Sequence, residues 1–171
     1  MKKLSFLCIT LFLFIPVKTV NANSSDSLIV SLMNVWESGN LDIFNSITDE
    51  KIVYDDIPNN HTFTGQAEAA SYITHVHNWA DEIKIEIVNS SSNETTAYAE
   101  WIMTGVQSRP IKGRVPVATN KPFTLKGITL IETKNDKIIR AVDYLDVLGF
   151  ILQLGAKVEL PGGVKLPPEK R

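Results

Sequence analysis

The sequence predicts an α+β domain, in which helices come first and a curled antiparallel sheet follows. Three observations carry this. Apolar residues recur at helical spacing through most of the chain up to Trp79. From Ile83 to Tyr144 they instead alternate at period two. Between two of the alternating runs lies Lys134-Asn135-Asp136-Lys137, a polar tight turn that reads as a hairpin. A strongly curved sheet packed on helices makes a cone with an apolar pocket inside.

Each element has a local reason. Ser24-Ser25-Asp26 offers an N-cap, and Leu28, Ile29, Leu32, Met33 and Trp36 follow on one helical face. Gly39 can stop that helix in the left-handed region, and Asn40 caps a short second helix with Leu41, Phe44 and Ile47 inward. Lys51 to Asp56 reads as a strand, stopped by Ile57-Pro58-Asn59-Asn60, with a loop over His61 to Gly65. Gln66 to Trp79 reads as a helix presenting Ala69, Ala70, Ile73, Val76 and His77 to the core. Strands follow at Ile83–Ile87, Thr95–Gln107, Phe123–Thr133 and Lys137–Tyr144, with a Gly-, Pro- and base-containing loop over 108–120. Val147 to Leu154 reads as a closing helix. Residues 156–171 hold three prolines and a Gly-Gly pair and read as a loose tail.

The chain has 171 residues and a net charge of -2. That length suits one domain, and the charge leaves no basic footprint for nucleic acid. Lys2 and Lys3, the apolar run Leu4–Ile15 and the small-residue site Val20-Asn21-Ala22 read as a signal peptide over residues 1–22. The domain is expected over residues 23–155. The leader run is short for a membrane span, so no stable span is expected after cleavage, although an uncleaved anchor is the alternative. The protein is expected to be exported, to the periplasm or beyond. Cys8, the sole cysteine, lies in the leader, so no disulfide or thiol chemistry is expected downstream.

The histidines are His61, His75 and His77. The last two, two residues apart on a helix, point about 200° apart and cannot share an ion. No metal site is expected. There is no G-x-S-x-G and no glycine-rich phosphate loop. Acid-base chemistry by carboxylates and histidine remains.

Asp143 is the leading candidate. In the last strand, Ile139, Ala141 and Asp143 share one face by alternation, and Arg140 belongs toward water, so Asp143 falls on an apolar wall. Burial there raises a carboxyl's pKa and readies it for proton transfer. The alternative is a strand-end carboxylate bonded to nearby backbone. Asp146 is the second carboxylate, standing where an N-cap belongs. Of Asp55 and Asp56, alternation sends one inward, and Asp56 is favoured. Tyr54, Trp36 and Trp101 read either as core or as pocket lining, and His61 lies in a loop by the expected pocket mouth.

The run D-K-I-I-R-A-V-D-Y-L-D-V-L-G-F-I-L-Q-L-G over 136–155 resembles the C-terminal signature of SnoaL-like polyketide cyclases, or ester cyclases, of the NTF2-like superfamily. Gly39-Asn40-Leu41-Asp42, Val53-Tyr54-Asp55-Asp56-Ile57-Pro58, Phe63-Thr64-Gly65 and Ala99-Glu100-Trp101 through Gly105 resemble further landmarks in order. In Val117-Ala118-Thr119-Asn120-Lys121, Asn120 stands where the family has glycine. The resemblance implies an NTF2-like cone, a homodimer, and cofactor-free aldol-type cyclisation or isomerisation with Asp143 as the proton shuttle. The family's His-Trp before this Asp is here Ala141-Val142, which points to a different substrate or to lost catalysis. Two functions are therefore expected to compete. One is acid-base catalysis on a small hydrophobic carbonyl compound. The other is non-catalytic binding of a hydrophobic small molecule in the same pocket.

Overall fold

The computed structural model describes residues 24–167. The expected signal peptide, residues 1–22, lies outside the described residues. Helix α1 (Ser24–Ser38) buries Leu28, Ile29, Leu32, Met33, Val35 and Trp36, and packs on the sheet. Each large apolar side chain so buried is worth about 1.5–3 kcal/mol over leaving it in water. Gly39, at φ +69°, turns the chain out of α1. The Asn40 side chain then accepts the amides of Asp42 and Ile43 at 3.0 and 3.1 Å to start α2 (Leu41–Ile47). Helix α3 (Gln66–Trp79) lies on the strands β1 (Thr48–Asp56) and β2 (His61–Thr64). The β2 strand falls in the segment expected as a loop. It pairs antiparallel with β1 through Tyr54–Phe63 and Asp56–His61.

The remaining strands are β3 (Ala80–Ser92), β4 (Thr96–Gln107), β5 (Lys121–Lys134) and β6 (Lys137–Leu145). They form one curved six-stranded sheet in the order β2-β1-β6-β5-β4-β3. All neighbours are antiparallel except β1 and β6, which run parallel and set Tyr54 beside Ala141 and Asp56 beside Asp143. The hairpin between β5 and β6 turns through Asn135 and Asp136, both at positive φ. That is the turn geometry matching the strand twist.

Alternation gives β4 and β5 clean inner rows. Ala97, Ala99, Trp101, Met103 and Gln107 are buried on β4, and Phe123, Leu125, Thr129, Ile131 and Thr133 on β5. In β6 a register shift opposite Glu132 and Thr133 breaks the period. Ile138 is buried and Ile139 only partly so, the reverse of the simple alternation, while Ala141 and Asp143 remain inward. A bulge of this kind re-aims every residue on one side of it. Helix α4 (Val147–Gln153) closes the open end of the cone, with Phe150 buried against Trp79 and Phe123 at ring distances of 5.3 and 5.2 Å.

The loop over 108–120 is organised by one buried side chain. Gln107 donates to the carbonyls of Arg109 and Val117, and its oxygen accepts the Thr119 amide. Asn120, where a glycine was expected from the resemblance, has φ +53°, a left-handed conformation that asparagine tolerates better than most residues. Within the expected tail, Val158–Glu159 and Lys165–Leu166 pair as two short strands, β7 and β8. Among the described residues, no helix is long and apolar enough to cross a membrane.

Candidate functional site

Helices on one side and the curled sheet on the other enclose a cavity of about 890 Å³. Its walls are mostly aromatic and aliphatic: Trp36, Phe63, Tyr72, Trp79, Trp101, Met103, Leu125, Leu145 and Phe150. Two carboxyl groups interrupt them, Asp56 and Asp143.

Asp143 is 2 % exposed. Its Oδ1 accepts the Thr129 hydroxyl at 2.5 Å and its Oδ2 accepts the Tyr54 hydroxyl at 3.1 Å. Each hydroxyl is in turn held by an indole. Trp101 Nε1 donates to Thr129 Oγ1 at 2.9 Å, and Trp36 Nε1 donates to Tyr54 Oη at 2.9 Å. The carboxyl is thus gripped by two tryptophan–hydroxyl arms, one from β4 and β5, the other from α1 and β1. An indole can only donate, which forces each hydroxyl to spend its proton on the carboxylate. Burial pushes the Asp143 pKa up to about 7 and the neighbouring Asp56 adds to the rise, while the hydroxyls of Thr129 and Tyr54 pull it down. A carboxyl so placed can hold or release a proton near neutral pH.

The Trp101 arm depends on Gly127. A Cβ there would stand 2.5 Å from the Trp101 ring and 2.8 Å from the Tyr144 carbonyl. Only a residue without a side chain lets the indole lie across β5 to Thr129.

Asp56, at the inner end of β1, is 3 % exposed. Its Oδ2 accepts from the Asn59 amide, and Arg114 of the 108–120 loop donates to the Asn59 oxygen. Its Oδ1 is buried with no hydrogen-bond partner. Tyr72 brings its phenol from α3 to the cavity between Trp36 and Phe63, at ring distances of 4.9 and 4.8 Å. Burial first, then the carboxylates of Asp143 and Asp56 and a hydrogen bond to Asp56, hold the Tyr72 pKa well above its usual value, so it stays protonated. The same holds for Tyr54, through burial and Asp143.

Of the expected site residues, Asp143, Asp56, Trp36, Trp101 and His61 line the cavity. Tyr54 is buried behind it as a support for Asp143. Asp146 is not brought to it. Its side chain accepts the Gly149 amide at 2.8 Å as the N-cap of α4, and it is exposed on the other face of the sheet. The three-residue spacing from Asp143 crosses the strand end, where the chain leaves the inner row. Asp55, alternate to Asp56, faces out and pairs with Arg140 at 2.9 Å. Glu132 is the second carboxylate on Arg140, at 3.0 Å.

Sequence reasoning did not single out Thr129, Tyr72, Asn59 or Arg114. Thr129 carried a signal, as a hydroxyl in the otherwise apolar inner row of β5. Tyr72 did too, three residues after the inward Ala69 on a helix. Asn59 and Arg114 carried none, since a turn and a loop have no period. His75 also reaches the cavity mouth, where burial and then Arg114 lower its pKa. His77 turns away and its Nε2 bonds the Trp36 carbonyl at 3.1 Å. Among the described residues, no group of three or more histidine, cysteine or acidic side chains could hold a metal.

A family model described as the SnoaL-like domain matches residues 29–141. The chain belongs to the SnoaL-like domain family. The solved structures it resembles include a proposed SnoaL-like polyketide cyclase from Jannaschia sp. CCS1, at TM-score 0.68 and 13% identity over 80% of this chain and 96% of the other. Another is a protein from Catenulispora acidiphila with a ketosteroid isomerase-like fold, in complex with trimethylamine. It matches at TM-score 0.63 and 18% identity over 77% and 94% of the two chains. A third is an LEH-like epoxide hydrolase of M. tuberculosis, at TM-score 0.60 and 12% identity over 77% and 89% of the two chains. No curated protein matches the sequence. These likenesses make the fold that of the NTF2 and ketosteroid isomerase type, as the sequence led one to expect. A fold of this kind does not by itself fix a function.

Proposed function

We propose that this SnoaL-like domain binds a small hydrophobic carbonyl compound in its cavity and moves a proton on it, with Asp143 as general acid and base. The observation that carries this reading is the burial of Asp143 in the cavity wall with a pKa of about 7. The ionised Asp143 takes the proton from the carbon next to the carbonyl. The C–H electron pair becomes the C=C bond of an enolate, and the carbonyl π pair moves to oxygen. Tyr72, protonated and in the cavity wall, turns its hydroxyl from Asp56 to donate to that oxygen. Asp143 then returns its proton, to a different carbon for an isomerisation. In an aldol-type closure the enolate carbon attacks a second carbonyl, and the proton goes to the new alkoxide. The two tryptophan-held hydroxyls keep the carboxyl in place through both steps.

The test is hydrogen–deuterium exchange at the α carbon of 1-tetralone in D2O. The wild-type protein is expected to accelerate it, and Asp143→Asn to lose the acceleration by about 10²–10⁴-fold. Equal exchange by both proteins would end the catalytic reading. Tight binding with no exchange above the buffer rate would favour the alternative, a non-catalytic carrier in the same cavity.

We further propose that the protein is exported behind residues 1–22 and acts as a homodimer. The leader pattern Lys2-Lys3, Leu4–Ile15 and Val20-Asn21-Ala22 supports export. Exposed Val88, Ile128, Leu130 and Tyr144 on the strands of the sheet support association. The mass of the protein recovered after expression with its own leader tests both.

A further inference from the structure

Among the described residues, Arg114 is the one arginine that holds no carboxylate. Arg109 is paired with Asp81 at 2.6 Å, and Arg140 with Asp55 and Glu132 at 2.9 and 3.0 Å. Arg114 instead donates one N–H to the Asn59 side-chain oxygen. A guanidinium has five N–H donors in a planar fork, so most of that capacity is unspent. Arg114 is exposed at the cavity mouth beside His75, close enough to lower the His75 pKa. Its place is built by the loop. Ile111, buried in the cavity wall, exchanges backbone hydrogen bonds of 2.8 and 3.0 Å with Val115, and the Arg114 amide donates to the Ile111 carbonyl at 3.0 Å. Gly113, at φ +77°, lets that tight turn close. The two carboxyls of the cavity wall, Asp56 and Asp143, are buried. The cavity therefore has a cation at its mouth and its acidic groups further in.

We infer that Arg114 anchors a carboxylate group of the ligand, so that the cavity prefers apolar molecules ending in an acid to their uncharged counterparts. This rests on the reading of the cavity as a ligand site, and it adds a charged end to that ligand. The guanidinium fork matches the two oxygens of a carboxylate, and one cation balances one such anion. Asp56 does not fill this role from within, because it is buried and meets Arg114 only through Asn59. Asp56 and Asp143 instead repel an anion from the interior. The acid end is held at the mouth, and the apolar end points inward to Asp143. Burial and Arg114 hold the His75 pKa down, so His75 offers the anion a neutral N–H and Arg114 supplies the charge.

The probes are 2-naphthoate and 2-naphthamide, nearly the same in shape and different in charge. Calorimetric titration of the wild-type protein at low salt is expected to show the naphthoate bound about tenfold more tightly, as suits a hydrogen-bonded ion pair. Concentrated salt should shrink that ratio. Arg114→Gln is expected to bring it down to about twofold or less. Lys112→Gln, which removes a neighbouring charge of the same loop, is expected to leave it in place. Equal affinity for the two probes in the wild type, or a preference for the amide, would overturn the inference while leaving the cavity reading intact, and it needs no variant to fold. A ratio that survives Arg114→Gln would overturn it by moving the anion elsewhere. Equal losses in the two variants would also overturn it, by making the preference a property of the loop's overall charge. Failure of both probes to bind would remove the cavity reading and this inference together. Loss of α-proton exchange alone would end the catalytic reading and leave the ratio as it stands. A melting curve of each variant checks that the comparison is between folded proteins.

Discussion

Asp55 and Asp56 are neighbours on β1, yet they live in opposite chemical worlds. Asp55, on the outer face, meets the Arg140 guanidinium, which also reaches Glu132 at 3.0 Å. Its charge has a partner and water beside it. Asp56, on the inner face, lies with Asp143 in an apolar cavity, where Arg114 reaches it through Asn59. The same residue type serves as a surface ion pair on one side of the sheet and as a buried, partly unsatisfied carboxyl on the other. The difference comes from the pleat alone. It teaches that the inner face holds polar groups at a cost that packing must offset, which is the usual mark of a site rather than of a scaffold.

The widest break in that contrast comes from the inner face. Gly127→Val drives a side chain into the Trp101 ring and the Tyr144 carbonyl. It is expected to destabilise the fold by about 3 kcal/mol or more, through overpacking and loss of the Trp101–Thr129 bond. Chemical denaturation would measure it, and a loss under about 1 kcal/mol would mean that β5 yields easily.

Next comes the pH dependence of stability. The Asp143 pKa rises from 3.8 in the unfolded chain to about 7 in the folded one. Below about pH 4 both states carry the proton and Asp143 adds no slope. Between about pH 4 and 7 the folded state holds a proton that the unfolded state has lost. Stability therefore falls as pH rises across that window and levels off above it, by an amount of order 4 kcal/mol. Asp143→Asn removes the titration. Its melting temperature is expected to vary less than the wild type's between pH 4 and 8, whereas identical profiles would place the Asp143 pKa near its ordinary value.

A smaller shift is expected from Thr129→Val, which removes a hydroxyl that favours the ionised Asp143. The pH midpoint of α-proton exchange should move upward, with a stability loss of about 1–3 kcal/mol. A downward move would mean that the hydroxyl serves the protonated form.

The smallest effect belongs to the outer face. Arg140→Gln breaks two ion pairs in contact with solvent, and about 1 kcal/mol or less is expected, fading with salt. A large loss insensitive to salt would erase the contrast between the faces.

Much of this was legible from the order of residues. Helical and alternating periods are local, so α1, α3 and the inner rows of β4 and β5 could be read directly, as could the Asn135–Asp136 turn and the Asn40 cap. So could the inward turn of Asp143 and of Asp56. Asp146 was harder, because a single aspartate after a strand suits both a cap and a site. The structure chose the cap, where Gly149 leaves room for the carboxylate. Ile139 was misplaced because a bulge has no signature in the alternation that it interrupts.

What the sequence by itself determined is which side of each element is apolar and where each element starts and stops. These depend on propensities and periods spanning a few residues. Only the tertiary structure decided the partners. Tyr54 and Asp143 are 89 residues apart and meet because β1 lies parallel to β6. Trp36 reaches Tyr54 because α1 packs on the curved sheet, and Arg114 reaches Asn59 from a loop anchored by Gln107. A carboxyl's pKa depends on what surrounds it within a few ångströms. For Asp143 those neighbours come from three other strands and a helix, and no local pattern can announce them.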